Sequence, residues 1–223
     1  MSRTSFEVEA ADLEAASTFV LTIEPQPDND PAPSAVHILA GDFSGTNANL
    51  TVGHSAAIAT DFTASTGDYI LATPTDGMDN NEASGVWWLD NSGAAPVAGL
   101  DLPTLPEGWK YEGWAVIDGT PVSTGTFTNV AAPDEAAAYS GTMDGPPFPG
   151  EDFIQNAPSG LTFPTDLTGT TVVISVEPSP DNSPAPFLLK PLVGPVAADA
   201  AVHTVQSMNN NATATNPTGS VSR

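Results

Sequence analysis

The stretch Phe19-Val20-Leu21-Thr22-Ile23-Glu24-Pro25-Gln26-Pro27-Asp28-Asn29-Asp30-Pro31-Ala32-Pro33 recurs without a gap as Val172-Val173-Ile174-Ser175-Val176-Glu177-Pro178-Ser179-Pro180-Asp181-Asn182-Ser183-Pro184-Ala185-Pro186. The apolar alternation, the Glu-Pro that ends it and every later proline coincide. The match continues to Leu39 with Leu192 and Gly41 with Gly194, which marks a duplicated structural unit. Physically the unit is a strand halted at Glu-Pro, because proline has no N–H to give to a ladder and holds the preceding residue extended. Asp-Asn then supplies a turn whose side chains bond their own backbone. Pro-Ala-Pro, stiff and extended, leads to the next strand. Such modules near both ends predict an all-β chain, an antiparallel β-sandwich-like (Ig-like) domain with pseudo-repeated strand–turn modules.

Outward from the repeat, 22 prolines and 19 glycines are spread through the chain, so it reads as strands cut by turns. Strands are expected at 19–23, 49–52, 69–73, 86–89, 172–176 and 187–193. Phe6 to Val8 suits the start of an edge strand, and Ala10 to Ala16 is the one stretch suited to a helical turn. The run Trp109-Lys110-Tyr111-Glu112-Gly113-Trp114-Ala115-Val116-Ile117-Asp118-Gly119 leads into Pro121 to Phe127. Asp-Gly between two β-prone runs predicts a type I′ hairpin, since both turn residues must accept positive φ. Residues 131–158, rich in Gly, Pro and acids, read as a long excursion without regular structure. The expected organisation is one β domain over 1–203, built from an N-terminal half-repeat (4–42), linking strands (43–100) and a C-terminal repeat (101–196), followed by a flexible polar tail (204–223).

Charge narrows the partners. Twenty-seven acidic residues stand against 4 basic ones, a formal net charge of -23, and such a field repels phosphate backbones and anionic membranes. Nucleic acid is therefore excluded as a partner. Membrane insertion is excluded as well, because no apolar run reaches the roughly 18 residues a membrane helix needs. The absence of cysteine removes disulfides and thiolate metal sites. The near-absence of Lys and Arg suits a salt-rich habitat or an acidic secreted protein equally. The first residues, Met1 to Phe6, lack the apolar core of a signal peptide.

His37, His54 and His203 have no companion at zinc-ligand spacing, and no nucleophile elbow, phosphate loop or dinucleotide fingerprint is present. Calcium is the cofactor that some oxygen-donor patterns would suit: Asp76, Asp79 and Glu82 in one acidic loop, and Asp28 and Asp181 in the repeats. The competing reading makes these turn residues satisfying their own backbone, with no cofactor. Glu151-Asp152 is the best-placed carboxylate pair for glycoside hydrolysis, set against a turn exposing charge between two anchoring Phe rings. Trp87, Trp88, Trp109 and Trp114 would make a carbohydrate-stacking platform if exposed and core if buried. Glu24, Asn29, Glu177 and Asn182 are the repeat residues expected to serve interaction.

The order of two motifs, Leu105-Pro106-Glu107-Gly108-Trp109-Lys110-Tyr111-Glu112-Gly113-Trp114 with Asp118-Gly119-Thr120-Pro121-Val122-Ser123-Thr124-Gly125-Thr126-Phe127, then Val172 to Glu177-Pro178, resembles the extracytoplasmic C-terminal domain of anti-sigma-K factors and related bacterial envelope β domains. The resemblance covers about half of the chain. It implies a non-catalytic β-sandwich-like domain, bacterial, extracytoplasmic or at the cell surface. Where the family has Gly-Gly-Ser after Glu-Pro, this chain has Pro-Asp-Asn, and the family's helical sigma-binding part has no counterpart here, so sigma-factor binding does not carry over. Against that pattern, residues 4–42 look like the second half of such a domain with no Tyr-x-x-Trp hairpin before them. Residues 43–100 supply the missing strands, or the sequence is cut from a longer protein, or another molecule supplies them. The last case makes a protein partner, copies of the chain included, the expected ligand of an unpaired strand edge.

Overall fold

The computed structural model describes residues 4–5, 7–181 and 183–223. The strands in the first quarter are β1 (Thr18–Thr22), β2 (His37–Ser44) and β3 (Asn47–Thr51). Next come β4 (Thr66–Leu71), β5 (Gly85–Trp87), β6 (Leu89–Asp90), β7 (Val97–Ala98), β8 (Leu100–Asp101), β9 (Trp109–Ile117) and β10 (Thr120–Phe127). The remainder are β11 (Gly150–Asp152), β12 (Thr171–Pro178), β13 (Leu192–Pro195), β14 (Gln206–Ser207), β15 (Asn209–Asn210) and β16 (Thr218–Ser222). Among the described residues, helix is confined to single turns, α1 (Ala10–Leu13), α2 (Ala212–Thr215) and a 3-10 turn at Glu82–Ser84. The chain is all-β, with antiparallel sheets throughout.

Packing divides the chain into two compact units, residues 1–61 with 217–223, and residues 62–216. The expectation of one domain over 1–203 with a flexible polar tail is corrected on both counts. In the first unit the sheet order is β1-β2-β3-β16, and β16 pairs with β3 residue by residue from Thr218↔Thr51 to Ser222↔Asn47. A strand needs only backbone donors and acceptors, so a segment with almost nothing apolar to bury still completes a sheet. Arg223 fastens the end of this strand. Its guanidinium donates to the carbonyls of Leu13 (2.5 Å), Ala16 (2.8 Å) and Gly45 (3.2 Å), and lies 4.3 Å from the centroid of the Phe43 ring. Ile38, Leu39, Ala40, Ala48, Leu50, Val52 and Ile58 fill the core of this unit. Gly41 has no room for a side chain, because a Cβ there would run into the backbone carbonyl of Asn49 on the neighbouring strand.

The second unit is a sandwich. One sheet has the order β10-β9-β12-β13-β15, the other β11-β5-β4-β14 with β8 also on β4. They meet face to face where Gly194 of β13 abuts the Tyr69 ring of β4 and Gly67 of β4 abuts Leu192 of β13. The hairpin forms as expected: β9 and β10 pair antiparallel from Ile117↔Thr120, and Asp118 and Gly119 both take positive φ, 51° and 79°. Trp88, Trp114, Tyr69, Tyr111, Phe127 and Phe153 are fully buried, with Tyr111 stacked on Phe127 at 5.7 Å and Tyr69 edge-on to Trp88 at 6.0 Å. All four tryptophans are at most 5% exposed, so none offers a stacking platform. The expected strand 187–193 forms later, as β13, because Phe187 is held by the Glu-Pro loop described next.

The repeat in sequence is a repeat in space. β1 on β2 and β12 on β13 share one register, 153 residues apart: Phe19↔Gly41 with Val172↔Gly194, Leu21↔Leu39 with Ile174↔Leu192. Beyond the strands, Ile23 N–H reaches Val36 O and Val176 N–H reaches Leu189 O, both at 2.9 Å. The peptide bonds before Pro27 and Pro180 are both cis. In each copy the Glu closes the loop. Glu24 accepts from the Ser34 N–H (3.1 and 3.2 Å) and the Thr22 hydroxyl, and Glu177 accepts from the Phe187 N–H (2.8 and 3.1 Å) and the Ser175 hydroxyl. Glu177 is 1% exposed while Glu24 is half-buried. Glu177→Ala strands buried donors and is expected to destabilise the second unit by about 3 kcal/mol, against about 1 kcal/mol for Glu24→Ala in the first. Chemical denaturation of the two variants checks the order.

Candidate functional site

The duplicated module offers a comparison within one chain. In the C-terminal copy, β12 is flanked on both sides, by β13 and by β9 of the hairpin, and residues 172–177 are all buried. In the N-terminal copy, β1 ends its sheet, and the equivalent residues 19–24 are all partly exposed. The same sequence pattern is thus complete in one place and open in the other. Ser17 O accepts the Phe43 N–H (2.8 Å) and the Ile23 N–H goes to Val36 O. Odd-numbered residues therefore bond β2, and the N–H and C=O groups of Thr18, Val20 and Thr22 point outward with no strand beside them among the described residues.

The edges at β10 and β16 are met by other parts of the chain. β10 carries Pro121, and its Thr126 carbonyl accepts the Glu135 N–H at 2.9 Å. Thr4, Ser5, Glu7, Val8 and Leu13 line a cleft along β16. β1, Thr-Phe-Val-Leu-Thr, has no proline, no charge and, among the described residues, no strand paired to its outer edge, the devices by which sheets normally block addition of a strand.

A second candidate lies on the outer face of the β9–β12 pair. Cross-strand register sets Ser175 opposite Glu112 and Glu177 opposite Lys110, and carboxylate oxygens of Glu112, Glu177 and Asp181 converge within 4.8 Å of one another. Burial pushes Glu112 up to about 7; the Ser123 hydroxyl opposes the rise, and the charges of Glu177 and Asp181 add to it. Burial also raises Glu177. Such an arrangement retains protons near neutral pH. Lys110 turns away, to Glu135 at 2.5 Å.

Asp76, Asp79 and Glu82 do not converge on a common point. Asp76 accepts the Met78 N–H (2.7 Å), and Glu82 accepts the Thr73 N–H (3.1 Å) and faces His203 at 3.1 Å. Asp28 and Asp181 accept the N–H two residues on, from Asp30 (3.0 Å) and Ser183 (2.9 Å). Asn29 is exposed, and Asn182 lies outside the described residues. Glu151 and Asp152 form neither an exposed turn nor an open catalytic pair, being strand residues 1% and 0% exposed. Asp152 accepts from the Thr75 N–H (2.8 Å), the Thr75 hydroxyl (2.5 Å) and the Trp87 indole (2.7 Å), and Glu151 from the Tyr139 N–H (3.1 Å) and the Ser140 hydroxyl. These bonds staple the excursion 131–158 to the sheet. Burial raises Asp152, and carries Glu151 and Asp134 up to about 7. Sequence reasoning missed Glu112, whose only signal is its place two residues from Lys110 and Trp114 on one strand face. Comparison with known protein families, with curated proteins and with solved structures finds no match.

Proposed function

We propose that this chain is a non-catalytic interaction module of a bacterial extracytoplasmic or cell-surface protein, and that it docks by accepting a strand at β1. The observation that carries this reading is the internal comparison: the strand buried on both edges at 171–178 is open on one edge at 18–22. Main-chain bonds supply affinity in such docking and alternate side-chain pockets supply specificity. The absence of catalysis is supported by the fate of the buried acids Glu151, Asp152 and Glu177, whose oxygens are taken up by the chain's own N–H and hydroxyl groups. The cellular placement is supported by the extreme acidity and by the resemblance of 105–127 and 172–178 to the anti-sigma-K envelope domain.

Copies of the chain are the readiest donors of a test strand. Thr18, Val20 and Thr22 present their bonding groups symmetrically about Val20, so two β1 edges can pair antiparallel about a two-fold axis. At low salt the net charge of -23 opposes this; about 1 M salt screens it to a few ångströms. Light scattering is expected to show a reversible dimer at high salt and a monomer at low salt. Val20→Pro removes an outward N–H and no intrachain bond, and is expected to stay monomeric in both. A wild-type chain that remains monomeric at every salt concentration overturns the reading.

A further inference from the structure

We infer that the second unit holds, apart from the β1 edge, a binding site for a small uncharged aromatic molecule with one hydrogen-bond donor, a phenol in chemical class. The site is an apolar cavity of about 300 Å³, at the lower end of the range for small-molecule sites. Ile70 of β4, Trp87 of β5, Leu89 of β6 and Phe148 are buried residues of one cluster that line it, joined by Pro146 and Pro147. The Trp87 indole N–H is already taken by Asp152 at 2.7 Å. That leaves Asn91 and His203 as the lining residues able to offer a polar side chain.

His203 decides the chemistry of the ligand. It is held from three sides: its N–H donates to Leu71 O (2.9 Å), its carbonyl accepts from the Asn91 amide (2.9 Å), and its Nε2 faces the Glu82 carboxylate at 3.1 Å. These bonds keep it at φ 56°, a left-handed conformation that few residues other than glycine adopt. Residues held in this way collect at ligand clamps. A carboxylate only accepts, so Nε2 carries the hydrogen, and in the neutral ring Nδ1 keeps a lone pair that no group among the described residues engages. What His203 can hold is therefore a donor. The rest of the lining rejects ions and sugars, because an ion would lose its hydration without a partner and a sugar would leave several hydroxyls unpaired. A net charge of -23 disfavours anions further. An aromatic ring with a single hydroxyl meets both demands, its ring against Trp87, Phe148 and the prolines and its O–H on Nδ1.

The experiment titrates the full chain with 2-naphthol at about pH 7.5, where imidazoles are ordinarily neutral, followed by calorimetry and by methyl resonances. Saturable binding is expected, with shifts at the Ile70 and Leu89 methyls. Two isosteres test the class: 2-methoxynaphthalene, which cannot donate, should bind roughly fivefold more weakly, and 2-naphthoate, an anion, about tenfold or more. His203→Ala, at an exposed position, should remove the advantage of the naphthol over its methyl ether while leaving the ether's own binding little changed. Ala72→Leu adds bulk to the lining; it is expected to weaken both ligands about tenfold without lowering the melting temperature, since the added carbons enter open space. No saturation by about 1 mM, shifts confined to other residues, or undiminished binding to Ala72→Leu overturns the inference. Equal binding of 2-naphthol and its methyl ether, or a preference that survives His203→Ala, refutes the donor-bearing class and with it the role of His203. Because none of these measurements involves β1, their failure leaves the docking reading standing.

Discussion

A chain ending at Asn216 is expected to lose the cooperative melting of the first unit while the transition of residues 62–216 is retained. Removing Pro217–Arg223 takes away one of four strands and leaves β3 as a bare edge. It also uncovers Leu50 and Leu39, against which Gly219 packs. A unit this small has little buried surface in reserve, so losing a fully paired strand crosses its stability threshold. Arg223→Ala alone removes the guanidinium bonds to the carbonyls of Leu13, Ala16 and Gly45 and the stacking on Phe43. Bonds from a charged donor and a cation–π contact at a partly exposed site together set the cost at about 2–3 kcal/mol. Arg223→Lys should fall between the two, since an ammonium keeps the charge but not the planar fork that spans several acceptors. Near-ultraviolet circular dichroism during thermal melting reads the result. A truncated chain whose two transitions match the wild type would show that β16 contributes nothing to the first unit.

That strand also shows where sequence reading stops. The repeat was visible because both copies keep their prolines and their alternation, and the hairpin because Asp118-Gly119 has few other conformations open to it. β16 carries no such mark: Thr-Gly-Ser-Val-Ser has one apolar residue, and its partner β3 lies some 170 positions earlier. Pairing at that separation is decided by which edge remains free after the rest has folded. The acidic sites failed for a related reason. Asp76, Asp79 and Glu82 are close along the chain, so they resemble a metal loop, yet each is used locally. Glu112, Glu177 and Asp181 are brought together only by the β9–β12 register, which the sequence does not display. Glu151 and Asp152 sit in a Gly- and Pro-rich stretch that signals exposure, and only the folded excursion reveals them as internal staples. The open edge at β1 was half legible: the missing hairpin could be noticed, but whether residues 43–100 filled its place could not.

The second large effect concerns pH. Thermal stability of the second unit is expected to be highest near pH 4–5 and to fall as pH rises to 8. Unfolded carboxylates titrate near pH 4, whereas in the folded unit burial pushes Glu112, Asp134 and Glu151 up to about 7 and raises Asp152 and Glu177. Between those values the folded state binds more protons than the unfolded one, so unfolding free energy must decrease as pH rises. The stabilisation is fully present below about pH 4 and is lost as pH passes through about 7. Glu135, Asp42 and Asp90, whose hydrogen bonds hold them below the usual range, act in the opposite sense only in more acidic solution. Each pH unit changes stability by at most about 1.4 kcal/mol per titrating group, so the loss from pH 5 to 8 is roughly several kcal/mol once coupling between neighbours is allowed for. Loss of net charge on acidification relieves self-repulsion and works in the same direction. Glu112→Gln separates the local cause from the global one. Its amide reproduces the protonated acid, can donate toward Glu177 or Asp181, and is expected to flatten the profile chiefly by stabilising the protein at pH 8 while leaving pH 5 little changed. Melting temperatures that rise from pH 5 to 8, or a Glu112→Gln profile parallel to the wild type, would mean that these acids are ionised in the fold without penalty and that the converging carboxylates store no protons.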